Sequence, residues 1–110
     1  MKIVNIKNIK TTLAHGEIKR KALVKVGELK SKVQTVNYAW LEPNESFSPH
    51  KHDDCEEIFF ILEGGGEFVV EKKKYPVGPN DCIIIEKGET HQLKNLYNLK
   101  LIFLSIRIKI

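Results

Sequence analysis

Four side chains in two stretches of this chain have the types and spacing of a metal site: His50, His52, Glu57 and His91. In His50-Lys51-His52 the imidazoles stand two residues apart, so on an extended strand they share a face and can present two nitrogens to one ion. Glu57 follows five residues after His52, and Gly64, where the chain must turn, comes seven residues later. A hairpin there would return the carboxylate to the histidines. Gly88-Glu89-Thr90-His91 adds a third imidazole just past another turn. Three neutral imidazoles and one carboxylate leave a divalent ion with positive charge and open coordination positions. Water or a substrate oxygen can enter them, so the ion can polarise a carbonyl or enediolate oxygen, activate water or, if redox-active, engage dioxygen. Nitrogen and oxygen ligation does not choose among iron, manganese, nickel, zinc, cobalt and copper.

Neighbouring residues need separating from this set. Adjacent strand residues face opposite sides, so only one of Glu56 and Glu57 can enter a shared interior, and the spacing to Gly64 selects Glu57. Cys55 is expected to be a loop residue rather than a thiolate ligand. Gly64-Gly65-Gly66 reads as a hairpin turn, because neither the lysine nor the helix of a phosphate loop follows it. His15, before Gly16, falls in an expected solvated loop and is given no role.

The elements that must carry these residues are strands. Apolar and polar residues alternate with period two over residues 17–26, 33–41, 46–52, 57–62, 67–71, 81–85, 91–95, 99–104 and 105–110. In the first, Ile18, Ala22, Val24 and Val26 are read on one face. Residues 83–85 and 101–104 lack alternation, as expected of strands covered on both faces. Glu42-Pro43-Asn44, Gly78-Pro79-Asn80-Asp81 and Lys87-Gly88-Glu89 supply turn chemistry between the runs. Residues 27–32 fit a loop or a single helical turn. The reading is an all-β sandwich or barrel. Alternation from Glu57 puts Phe59 and Ile61 inward, giving an apolar pocket, and puts Tyr38 and Trp40 on one face, either at the pocket mouth or outside.

These residues resemble the cupin superfamily, whose motifs are G-x5-H-x-H-x(3,4)-E-x6-G and G-x5-P-x-G-x2-H-x3-N. His50, His52, Glu57 and Gly64 meet the first, and Gly88, His91 and Asn95 the second, with residues 65–79 between them. Asn44 and Asn80 stand where the family usually has the first glycine of each motif; asparagine is the residue next most tolerant of positive φ. Glu86 replaces the usual proline. The resemblance spans roughly residues 38–104 and implies a double-stranded β-helix (jelly-roll barrel) formed by residues 1–110 as one domain. It further implies one divalent metal on His50, His52, Glu57 and His91. Phe59 and Asn95 are the candidate pocket residues, Asn95 either lining the cavity or satisfying backbone groups. The implied activity is a metal-dependent isomerase or oxygenase acting on a small molecule such as a sugar phosphate. The alternative is a non-catalytic module binding or sensing a small ligand. Pairing through outer sheets makes a homodimer the expected assembly.

Composition narrows the partners. At 110 residues there is room for one core, and 42% hydrophobic with 29% charged residues suits a folded domain. The net charge of +4 comes from lysines spread over the chain apart from Lys19-Arg20-Lys21 and Lys72-Lys73-Lys74, which read as solvated surface. No basic stripe interleaved with aromatics points to nucleic acid, and no apolar run approaches a membrane span. Polar residues interrupt the opening segment where a secretory signal would be apolar, so a cytoplasmic location is expected, with Cys55 and Cys82 as free thiols.

Overall fold

Alternating residues take up nine strands in the computed structural model, which describes residues 1–110. They are β1 (Thr12–Ala14), β2 (Ile18–Val24), β3 (Val33–Leu41), β4 (Cys55–Glu63), β5 (Gly66–Val70), β6 (Lys73–Val77), β7 (Cys82–Ile85), β8 (His91–Lys94) and β9 (Leu101–Lys109). One turn of 3-10 helix, Ile6–Asn8, precedes them. All pairings are antiparallel: a six-stranded sheet in the order β1-β2-β3-β9-β4-β7 faces a three-stranded sheet in the order β6-β5-β8. This is the jelly-roll arrangement that the motifs imply. No helix is long and apolar enough to cross a membrane.

The core lies between the sheets. Leu41, Phe47, Ile61, Phe68, Leu93, Leu101 and Phe103 are almost fully buried there. Phe59 meets Phe68 edge-on with ring centroids 5.0 Å apart and Phe103 at 5.8 Å. Offset and edge contacts of this kind suit the aromatic quadrupole. Both asparagines of the glycine-deviant motif positions have positive φ, 65° at Asn44 and 72° at Asn80. The backbone conformation is therefore kept although the glycines are not.

Several expectations are corrected. The triple glycine is not a hairpin turn: it carries the chain from β4 in one sheet to β5 in the other, and β4 pairs with β7 and β9 instead. Gly64 and Gly66 are pressed onto the backbones of Lys100 and Lys94, a close approach that only a residue without Cβ permits. Residues 46–52 form two isolated bridges, Ser46 to Lys94 and His50 to His91, rather than a strand. Pro49 removes one donor from that segment. A bulge between Ala22 and Val24 breaks the face read for residues 17–26. Residues 99–104 and 105–110 merge into the single β9, and residues 27–32 form turns and bends without a helix. The basic run Lys72-Lys73-Lys74 includes the start of β6, which alternation did not reveal. Residues 83–85 are not covered on both faces, since Ile85 is buried but Ile84 is 64% exposed.

Candidate metal centre

Backbone pairing sets the site. His50 and His91 exchange both backbone hydrogen bonds, N to O at 3.1 and 2.9 Å, so their side chains lie side by side with ring centroids 4.4 Å apart. The His52 carbonyl accepts from the Gly88 amide at 2.8 Å, which ties the turn before His91 to the residue after Lys51. Glu57 sits near the start of β4 and points inward, with Glu56 on the opposite face. One ligand atom each from His50, His52, Glu57 and His91 lies within 4.8 Å of all the others. The structure thus gathers all four side chains singled out in the sequence.

Their polar atoms are arranged for a cation. His50 Nδ1 lies 3.0 Å from the Ser48 carbonyl, and His91 Nδ1 lies 3.0 Å from the Glu89 carbonyl. A carbonyl can only accept, so each Nδ1 carries the proton and each Nε2 keeps a free lone pair. Glu57 Oε1 approaches His52 Nε2 at 2.9 Å and His91 Nε2 at 3.2 Å. Glu57 Oε1 and His91 Nε2 are nonetheless both buried with no hydrogen-bond partner. Buried polar atoms are seldom left unpaired, and electron-rich atoms converging on one point call for a positive centre between them. Burial holds the His50 and His52 imidazoles below their ordinary range, which keeps them neutral and able to ligate. Burial pushes the Glu57 carboxyl up, but His91, His52 and Arg107 together outweigh it and hold it low. The donor set fits a divalent transition ion.

Beside these residues lies a cavity of about 50 Å³, and its lining corrects the apolar pocket expected from the sequence. Phe59 does line it, but so do Arg20, Thr35, Asn37, Ser105 and Arg107. Register explains this. Thr35, Arg107 and Glu57 are neighbours in one row across β3, β9 and β4, and Asn37, Ser105 and Phe59 form the next. Parity from the buried Leu101 and Phe103 could have found Ser105 and Arg107, since residues two apart share a face. Tyr38 and Trp40 lie on the outer face, half-buried.

The structure places two more residues. Of the two roles open to Asn95 it takes the second, satisfying backbone groups: its amide donates to the carbonyls of Leu41, Glu42 and Leu99, and its side-chain oxygen accepts from the Tyr97 amide. Every polar atom of that buried side chain is used to tie loops together. His15, given no role, stands at the cavity mouth, with its ring 5.2 Å from His50 and 6.1 Å from His52. Positive φ at His15 and Gly16, 52° and 71°, makes the tight turn between β1 and β2. Glu17 fastens that turn to the segment carrying His50 by accepting from the Ser48 amide at 3.2 Å and its hydroxyl at 2.6 Å.

Comparisons agree with this geometry. Over residues 37–107 the chain matches the model of the cupin domain. It is 31% identical, over 84% of its own length and 77% of the relative's, to the oxalate-binding protein of Thermotoga maritima. A crystal structure from the same organism, of a predicted oxalate decarboxylase, superposes with a TM-score of 0.91 at 27% identity, covering 99% of this chain and 100% of that one. A polyketide cyclase from Streptomyces resistomycificus gives a TM-score of 0.85 at 24% identity over 98% and 79% of the two chains, a likeness of fold alone. Sequence motif, barrel and the gathered His and Glu side chains lead to one assignment: the chain belongs to the cupin domain family.

Proposed function

We propose that the protein holds one divalent transition metal on His50, His52, Glu57 and His91 and uses the remaining coordination positions to bind a small oxygen-donor molecule. The observation that carries this reading is the convergence of four ligand atoms within 4.8 Å, two of them buried and with no hydrogen-bond partner. The relative named oxalate-binding protein supports ligand capture as the role of the open positions. Chemistry on the captured molecule, as a metal-dependent isomerase or oxygenase, is the second reading. It is favoured by the polar groups Thr35, Asn37 and Ser105 beside the site, which offer hydrogen bonds for orienting a substrate.

The same reading makes the protein a cytoplasmic homodimer with no nucleic-acid or membrane partner. Two free cysteines suit a reducing compartment. The outer face of the six-stranded sheet supports pairing, since Tyr38, Trp40, Ile58, Phe60, Ile102, Leu104 and Ile106 lie half-buried across neighbouring strands, beside the exposed Ile84. A contiguous apolar face of this kind marks an interface more often than free surface.

Elemental mass spectrometry of the purified protein tests the central reading. One transition-metal ion per chain is expected in the wild type and none in His91→Ala. Wild-type protein that takes up no ion when offered iron, manganese, nickel, zinc, cobalt or copper would overturn it.

A further inference from the structure

An imidazole that ligates through Nε2 depends on what holds its Nδ1–H. That acceptor is the Ser48 carbonyl for His50 and the Glu89 carbonyl for His91, each at 3.0 Å. Neither Ser48 nor Glu89 lies in a strand, so no sheet ladder fixes either carbonyl. In both cases a glutamate from a hairpin turn does so. The peptide unit between Glu89 and Thr90 carries the carbonyl at one end and the Thr90 N–H at the other, and that N–H donates to Glu71 Oε1 at 2.8 Å. Glu71 is itself held, its amide donating to the Thr90 carbonyl at 2.9 Å from the turn between β5 and β6. The corresponding unit at His50 ends in Pro49 and has no N–H to hold. Ser48 is held from its other side, where its amide donates to Glu17 at 3.2 Å and its hydroxyl at 2.6 Å. No backbone-to-backbone hydrogen bond holds Ser48. Glu17 is in turn seated by its own amide, which donates to the Ala14 carbonyl at 3.0 Å, and by the buried Ala14 and Ile18 on either side of the turn between β1 and β2. One arrangement thus occurs twice, running from turn carboxylate to loop carbonyl to ligand imidazole.

Resting on the metal reading above, we propose that Glu17 and Glu71 are positioning residues of the metal centre, each holding the loop carbonyl that accepts Nδ1–H from a ligating imidazole, Glu17 for His50 and Glu71 for His91. The paired backbone bonds between His50 and His91 fix their main chains but leave each ring free to rotate about its side-chain bonds. A fixed carbonyl removes that freedom and aims Nε2 at the ion. It also acts on the ligand electronically. A carboxylate accepting from the peptide N–H polarises the carbonyl at the other end of the unit, and a stronger acceptor on Nδ1–H makes Nε2 the more basic donor. Both glutamates are exposed and neither belongs to the four-residue ligand set, so their effect reaches the metal only through the histidines.

Nuclear magnetic resonance of the isotope-labelled, zinc-loaded protein reads each Nδ1–H directly, because zinc is d10 and carries no unpaired electron. In wild type the Nδ1–H signals of His50 and His91 are expected to persist against exchange with water. Glu17→Ala should speed exchange at His50 about tenfold or more, the scale for losing one charge-assisted hydrogen bond, and leave His91 as it was. Glu71→Ala should do the reverse. Zinc affinity, from competition with a chromophoric chelator, should fall about tenfold in each, the low end for losing an outer-sphere partner. Glu17→Gln and Glu71→Gln keep an acceptor oxygen and should restore most of both readouts. Circular dichroism on each variant confirms folding, and glutamates in two separate turns are independent probes should one alanine variant misfold. Unchanged exchange and zinc affinity in an alanine variant would overturn the role of that glutamate. Equal loss at both imidazoles would overturn it too, as the mark of general loosening. A wild type that takes up no ion would instead overturn the metal reading. In that case the ring tautomers of the metal-free protein at pH 8 still decide the positioning, by a mixture at His50 alone in Glu17→Ala and at His91 alone in Glu71→Ala, or by no selective change.

Discussion

Replacing Glu57 by glutamine separates a metal ligand from a structural ion pair, because only a ligand's loss removes the stabilisation that added metal supplies. Glu57 Oε1 now crowds two imidazole nitrogens at 2.9 and 3.2 Å. The amide introduced by Glu57→Gln can turn its NH2 toward a free Nε2 lone pair, so the chelated variant is expected to fold and to give up only the carboxylate's attraction to its positive neighbours, a modest fall in Tm. Metal binding should suffer. Loss of an outer-sphere partner alone weakens metal affinity by about 10- to 100-fold, so removing a ligand sets a lower bound near 100-fold. At an ion concentration 100 times the wild-type dissociation constant, the metal stabilises the wild type by about 2.7 kcal/mol and the variant by about 0.4 kcal/mol. For a domain of this size the difference is roughly 10 °C in the metal-induced rise of Tm. The assay is a thermal melt with and without added ion, run beside Glu56→Gln, whose side chain faces the other way and should behave as wild type. A wild-type metal shift in Glu57→Gln, or its loss in Glu56→Gln, would refute the reasoning.

Further expectations concern backbone, protons and assembly. Gly66→Ala puts a Cβ 2.5 Å from the Lys94 carbonyl and 2.8 Å from Leu101 Cδ2. It should cost about 1–3 kcal/mol, read as a lower urea midpoint, and an unchanged midpoint would contradict the packing. The chelated protein should lose stability as pH falls. His50 and His52 are held below 6.5 by burial, so the unfolded chain takes up their protons first and stability declines beneath that value. The lowered Glu57 acts in the same direction further down, its contribution present above 4.5 and lost as pH falls through its folded value. Melting temperatures flat from pH 8 to 5 would count against the histidine part, and no further fall below pH 4.5 against the Glu57 part. Ile106→Asp, on the outer sheet face, should convert a dimer to monomer in analytical ultracentrifugation; a wild type that sediments as a monomer would remove that proposal.

The sequence was most informative where spacing and period reinforced each other. His50, His52, Glu57 and His91 were legible because each follows or precedes a turn signal at a distance that strand geometry converts into proximity. Asn44 and Asn80 were legible as turn residues because tolerance of positive φ is a local property. What stayed hidden depends on pairing between distant segments. Nothing local says that Gly64 to Gly66 cross between sheets, or that β9 continues as one strand through Ser105. Arg20 and Arg107 looked like surface because basic side chains usually are, and their inward direction follows only from the buried Leu101, Phe103 and Ile18 on the same faces. Asn95 matched a motif position, but its role is fixed by carbonyls at residues 41, 42 and 99 that no spacing rule names.

Anomalous X-ray diffraction from a crystal of the metal-loaded protein tests the central claim most directly. The account predicts one peak per chain at about 2.0–2.2 Å from an imidazole nitrogen of each of His50, His52 and His91 and from a Glu57 oxygen. A peak held by other residues, or by fewer than three of these four, would contradict it.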